Sequence, residues 1–175
     1  NFLNAELILE ITQGTEDPYR VALVQFEGNK NISKNINEII RNNLTRSGEF
    51  KIFGNDDLIS NPSDETEVIF NDFKILDIDY LILGKIIEEG AGISVIYEIY
   101  DIKKSKKIRT STVFGIPNKN RQLSHYISDG IYEEITGIKG ISSTKILYVT
   151  EKDNFNLVIA DADGSNEQIL SLIHI

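Results

Sequence analysis

Tyr80-Leu-Ile-Leu-Gly-Lys-Ile-Ile-Glu88, the turn Gly90-Ala-Gly92 and the run from Ile93 to Ile102 decide the fold. The first segment is an apolar run of strand length. In the last, Ile93, Val95, Tyr97 and Ile99 alternate with Ser94, Ile96, Glu98 and Tyr100. A period of two is the mark of a strand, and two such runs joined through glycines read as a hairpin. Working outward, Lys103-Lys-Ser-Lys-Lys107 is a second turn and Ile108 to Phe114 a third, hairpin-linked strand.

Upstream, Arg20 to Phe26 is a mostly apolar run that suits a strand buried on both faces. Ile32, Ile36, Ile39, Ile40 and Leu44 then recur at helical spacing, and Ser47-Gly48 ends that helix with Gly in a left-handed position. Phe50, Ile52 and Phe53 begin a short strand, and Asn55 to Glu65 is a polar loop expected to be mobile. Asn71 is expected to cap a short helix carrying Phe73 and Leu76. At the amino terminus, Phe2 to Thr12 alternates imperfectly as a strand.

Downstream, a helix is expected from Asn118, with Leu123, Ile127, Ile131 and Ile135 on one face and Gly137 and Gly140 as its stop. Residues 1–140 therefore predict an α/β domain: a mixed β-sheet packed by about three helices in a two-layer sandwich. From Lys145 the texture changes. Ile146 to Val149, Leu157 to Ile159 and Gln168 to Leu170 are short strands, with Asp163-Gly164 as a tight turn. Residues 141–175 predict a linker and an incomplete blade of a β-propeller, which cannot close a ring alone.

Composition narrows function. The chain has 175 residues, 41% of them hydrophobic, which is enough for one core of ordinary size. Its formal net charge of −9 argues against phosphate backbones and anionic membrane surfaces and suits a basic protein partner. With no Cys there is no disulfide, thiol nucleophile or thiolate metal site. No apolar run approaches the roughly 20 residues a spanning helix needs. Position 1 is Asn and no Met occurs anywhere, so residue 1 is expected not to be the native start: either a signal was removed or the sequence is a fragment.

Few motifs carry chemistry, and no catalytic residue, cofactor or metal is expected. His125 and His174 have no second His or carboxylate at a metal-ligand spacing. Asp161-Ala-Asp163-Gly164 begins like a calcium loop but lacks the third alternate oxygen ligand and the closing Glu, so it reads as a hairpin turn. Gly90-Ala-Gly92 joins two strands and lacks the third Gly of a dinucleotide fingerprint. Asp77 and Asp79 read as two solvated acids on a helix-to-strand connection, and Lys103 to Lys107 as either a solvated hairpin tip or a contact for an acidic protein surface. The amino-terminal stripe of Leu3, Leu7, Leu9 and Ile11 is either an ordinary edge strand or a detachable segment that adds to a partner's sheet edge.

The chain resembles the TolB family along its whole length. Ile11-Thr-Gln-Gly14, Pro18 and Val21 to Phe26 resemble the family's opening; Ile39 to Leu44 with Ser47-Gly48 and Phe50 resembles its first helix and exit; Phe73 with Asp79 to Gly84 resembles the next helix–strand unit. Ile135-Thr-Gly-Ile-Lys-Gly140 is the most specific match, supported by Tyr148-Val149 and Ala160 to Gly164 at the start of a blade. Gln25 departs from the family's usual Pro, and Ser142 from a common aromatic. The resemblance implies a non-enzymatic, periplasmic component of the Tol-Pal system, which supports outer-membrane integrity and constriction at cell division. It implies TolA as a partner of the amino-terminal segment and domain, with Glu6, Leu7, Ile8, Leu9, Glu10, Ile11 and Thr12 as the candidate contacts, and Pal as a partner of the propeller, mostly beyond this sequence. Arg20 to Ile87 also resembles envelope lipoproteins of the CsgG and LpoB kind, which serve secretion or scaffold cell-wall synthesis; Ile135 to Gly164 favours TolB.

Overall fold

The computed structural model describes residues 17–116, 119–151 and 155–173. Their elements are β1 (Tyr19–Leu23), α1 (Lys30–Arg46), β2 (Phe50–Phe53), α2 (Phe70–Ile75), β3 (Tyr80–Glu89), β4 (Gly92–Asp101), β5 (Lys106–Gly115), α3 (Asn120–Thr136), β6 (Lys145–Glu151), β7 (Phe155–Asp161) and β8 (Gln168–Ile173). The first sheet has five strands in the order β2-β1-β3-β4-β5. β1 pairs in parallel with both β2 and β3, while β3, β4 and β5 form antiparallel hairpins. The fold class is therefore α/β with a mixed sheet and three helices, as expected.

Strand alternation sorts side chains to two faces. Val21 and Leu23 of β1, Ile82 and Ile86 of β3, and Ile93, Val95, Tyr97 and Ile99 of β4 join the core under α1 and α3. Those helices contribute Ile36, Ile40 and Leu44, and Leu123, Ile127, Ile131 and Ile135, the residues whose helical spacing marks them in the sequence. On the opposite face Ala22, Leu81, Leu83 and Tyr100 pack with Phe73, Ile78 and Ile102. The second face is thus partly covered by α2 and its flanking loops, and the apolar run of β1 reflects burial on both sides.

Two local details differ from expectation. β1 ends at Leu23, not Phe26: backbone bonds to β3 persist at Val24 and Glu27, but polar side chains of α1 take the groups between. Asn37 donates to the Val24 carbonyl at 2.9 Å and accepts from the Phe26 amide at 3.1 Å, and the Ser33 hydroxyl donates to the Phe26 carbonyl at 2.5 Å. Phe26 then turns inward over Gly84, where a Cβ would lie 2.5 Å from its ring. Asn71 is not a cap. Ile69 holds that position without a side-chain bond, and Asn71 lies within the first turn of α2. The expected start of the last helix, Asn118, lies outside the described residues; α3 begins at Asn120 and closes on Gly137 in the left-handed conformation, φ 73°.

The second sheet is a three-stranded antiparallel meander, β6-β7-β8. Only its central strand is well covered: Val158 and Ala160 are buried, while Leu147, Val149, Ile169 and Leu170 are exposed.

Candidate functional site

The expected partner-binding residues Glu6 to Thr12 lie outside the described residues, as does His174. The described chain assembles a different site at the seam between α3 and the second sheet.

The seam begins with the Asp161-Ala-Asp163-Gly164 turn. It folds as a turn because Gly164 accepts φ 80°, its amide donates to the Asp161 carbonyl at 2.8 Å, and the Asp163 carboxylate accepts from the Ser165 amide at 3.0 Å. Carboxylate oxygens left over project toward α3. Asp163 pairs with Arg121 and stands 3.8 Å from His125 Nε2. Asp161 pairs with Lys145 and accepts from Asn166 at 2.5 Å. Burial pushes both carboxyls up, but the bonds from Lys145 and Asn166 to Asp161, and from Ser165 with the charge of Arg121 at Asp163, hold each below the ordinary carboxylate range.

His125 sits on α3 at 3% exposure. Its Nδ1 meets the Asn43 side-chain amide at 2.9 Å, and that amide also donates to the Ser128 hydroxyl at 3.0 Å. Nε2 is buried without a hydrogen-bond partner. Burial pulls the imidazole below its ordinary pKa, against the opposing pull of Asp163 and Asp161.

One turn further along α3, Asp129 clamps the linker. Its two oxygens accept from the amides of Ser142 at 2.6 Å and Ser143 at 2.9 Å. This requires Gly140: a Cβ there would stand 2.6 Å from the Asp129 Cα. The Ala162 amide donates to the Thr144 carbonyl at 3.1 Å, tying linker to turn. Two cavities flank the seam. One of 650 Å³ opens beside His125, Arg121, Lys145 and Asp161; one of 390 Å³ lies between Leu44, Tyr132, Ile138 and Ile141.

The remaining sequence candidates are structural. Asp79 accepts from the Arg20 amide at 2.9 Å and pairs with Lys103 at 2.6 Å, and Asp77 pairs with Arg20 at 3.1 Å. Lys104 pairs with Asp101 at 2.8 Å, and Lys107 with Glu65 at 2.5 Å and Glu98 at 3.0 Å. Lys103, Lys104 and Lys107 of the cationic run therefore serve internal carboxylates. Gly90 and Gly92 form the β3–β4 joint. The His125–Asp161–Asp163 cluster escapes sequence spacing because 36 and 38 residues separate its members. The signals present are a His among the apolar positions of a helix and an acidic turn.

Comparison with known proteins agrees along the chain. The family model described as the TolB amino-terminal domain matches residues 7–108. The chain is 39% identical to the Tol-Pal system protein TolB of Alcanivorax borkumensis over 95% of its length, and 35% identical to that of Pseudomonas aeruginosa over 90%. It spans 42% and 38% of those two relatives. Among solved structures it matches TolB from Acinetobacter baumannii with a TM-score of 0.77 at 26% identity, covering 93% of this chain and 41% of that one. Family match, identity and fold agree: this chain belongs to the TolB family.

Proposed function

We propose that the chain is the partner-binding part of a Tol-Pal system component acting in the periplasm by binding, without catalysis. Residues 1–140 form an α/β platform and residues 141–175 a linker with part of a first propeller blade. Glu6 to Thr12 offer an apolar strand to TolA, with main-chain hydrogen bonds supplying affinity and alternate side chains selectivity. Pal is engaged chiefly by the propeller of the whole protein. The observation that carries this reading is the likeness to TolB proteins over 95% of the chain, which takes in both sheets. The clamped seam supports it, since coupling two binding surfaces needs a physical link between the elements that bear them.

The test is a pull-down of purified TolA and Pal by this chain, with and without residues 1–12. Retention of TolA that disappears on deletion supports the reading. Unchanged TolA affinity after deletion removes the strand-addition mechanism, and capture of Pal by this chain contradicts the division of labour.

A further inference from the structure

We propose that His125, Asp161 and Asp163 form a binding site for a divalent transition-metal ion of the zinc class, stapling α3 to the β7–β8 turn of the second sheet. Among the described residues these three side chains bring one ligand atom each to within 4.8 Å of one another. Donors around a four-coordinate zinc stand about 3.4 Å apart, as bond lengths of about 2.1 Å require. Side-chain rotations that shorten the separations by up to about 1.4 Å close the set.

Independent support comes from His125 Nε2. It is buried, makes no hydrogen bond, and faces Asp163 Oδ2 at 3.8 Å. A buried polar atom left unpaired costs about 1–3 kcal/mol, and a metal bond is one of the few partners that would satisfy it here. The outer shell also fits. Metal-bound imidazoles donate their other ring N–H to a fixed acceptor. Asn43 lies 2.9 Å from Nδ1, and reversing its amide, which leaves the heavy-atom positions the same, presents Oδ1 to that N–H. The same reversal gives up the 3.3 Å contact from Arg46 to Oδ1 and the 3.0 Å bond from the amide to the Ser128 hydroxyl, which now donates to the Ser124 carbonyl.

Imidazole with two carboxylates suits zinc, cobalt or nickel over magnesium, which prefers an all-oxygen shell. Arg121 and Lys145 now neutralise the two acids. Their side chains are 38% and 55% exposed, so they can swing into solvent as the ion enters. The carboxylates themselves are only 10% exposed, so the ion must replace the charge compensation that these cations now give. The 650 Å³ cavity beside His125 and Asp161 gives the ion its path and solvent for a fourth ligand.

The test is calorimetric titration of the chelator-treated chain with zinc chloride, with magnesium chloride in parallel. The expected result is one zinc per chain at this site and no magnesium binding. Asp163→Asn and His125→Gln each weaken zinc binding by more than the ~10–100-fold that outer-shell partners command. Arg121→Gln tightens it, because the competing cation is gone. Cobalt(II) substituted for zinc develops visible absorption bands that Asp163→Asn abolishes, a readout that stands if His125→Gln does not fold. No zinc binding, equal magnesium binding, or zinc affinity unchanged in Asp163→Asn would overturn the proposal.

Discussion

The two sheets of this protein are built by opposite strategies. The five-stranded sheet buries both faces of its central strands, β1, β3 and β4. Val21, Ile82, Ile99 and Ile127 are each 0% exposed, and two separate apolar clusters cover it. In the three-stranded sheet Leu147 is 60% and Ile169 66% exposed, and the buried apolar residues Val158 and Ala160 lie on the central strand, β7. Apolar burial is the main favourable term in folding. The first sheet therefore stabilises itself, while the second depends on what it is tied to. Among the described residues those ties include Asp129 to the linker amides and Arg121 to Asp163, with the Ala162 amide joining the turn to Thr144 of the linker.

The sharpest way to break this contrast is in the first core. Ile127→Ala removes a fully buried side chain and should cost about 2–5 kcal/mol by urea denaturation. A loss below ~1 kcal/mol would mean the first sheet does not carry the fold.

Next in size is the clamp. Asp129→Ala leaves the Ser142 and Ser143 amides without their acceptor and should cost about 1–3 kcal/mol. Hydrogen exchange should accelerate in 141–173 and stay slow in α1 and β3. Uniform acceleration would show instead that the sheets unfold as one unit.

A smaller effect tests the first sheet's polar rim. Burial pushes Glu98 up, but bonds from the Tyr100 hydroxyl at 2.5 Å and from Lys107 hold its carboxyl below the ordinary 4.5. A carboxyl depressed in the folded state binds its proton more readily when unfolded, so its stabilisation is complete above about 4.5 and fades as pH falls through the lower folded value. The stability advantage of wild type over Glu98→Gln should shrink in that window. A gap that widened on acidification would reverse the sign and refute the assignment.

Smallest of all, Leu147→Ala on the exposed face of β6 should change stability by no more than about 0.5 kcal/mol. A large loss would mean that this face is covered in solution, and sedimentation would then show association.

Particular residues explain how much was legible in advance. The β3–β4 hairpin shows in the alternation of Ile93 to Tyr100, because a half-buried antiparallel strand imprints its period on the chain. α1 and α3 show through isoleucines at helical spacing. The end of β1 does not, because Asn37 reaches it from another element, 13 residues from Val24. The Asn71 cap failed for a related reason: a good capping residue is a local preference, and packing of Phe73 into the second core set where α2 begins.

Local periodicity and turn chemistry alone determined the α/β class, the element order from β1 onward and the identity of most core residues, since these depend on which face each side chain meets; the strand expected over Phe2 to Thr12 lies outside the described residues. Tertiary structure alone decided the seam. His125 meets Asp161 and Asp163 across 36 and 38 residues, and Asp129 meets Ser142 through the gap that Gly140 leaves. Such meetings depend on how α3 lies against the second sheet, a relation between distant segments that no spacing along the chain encodes.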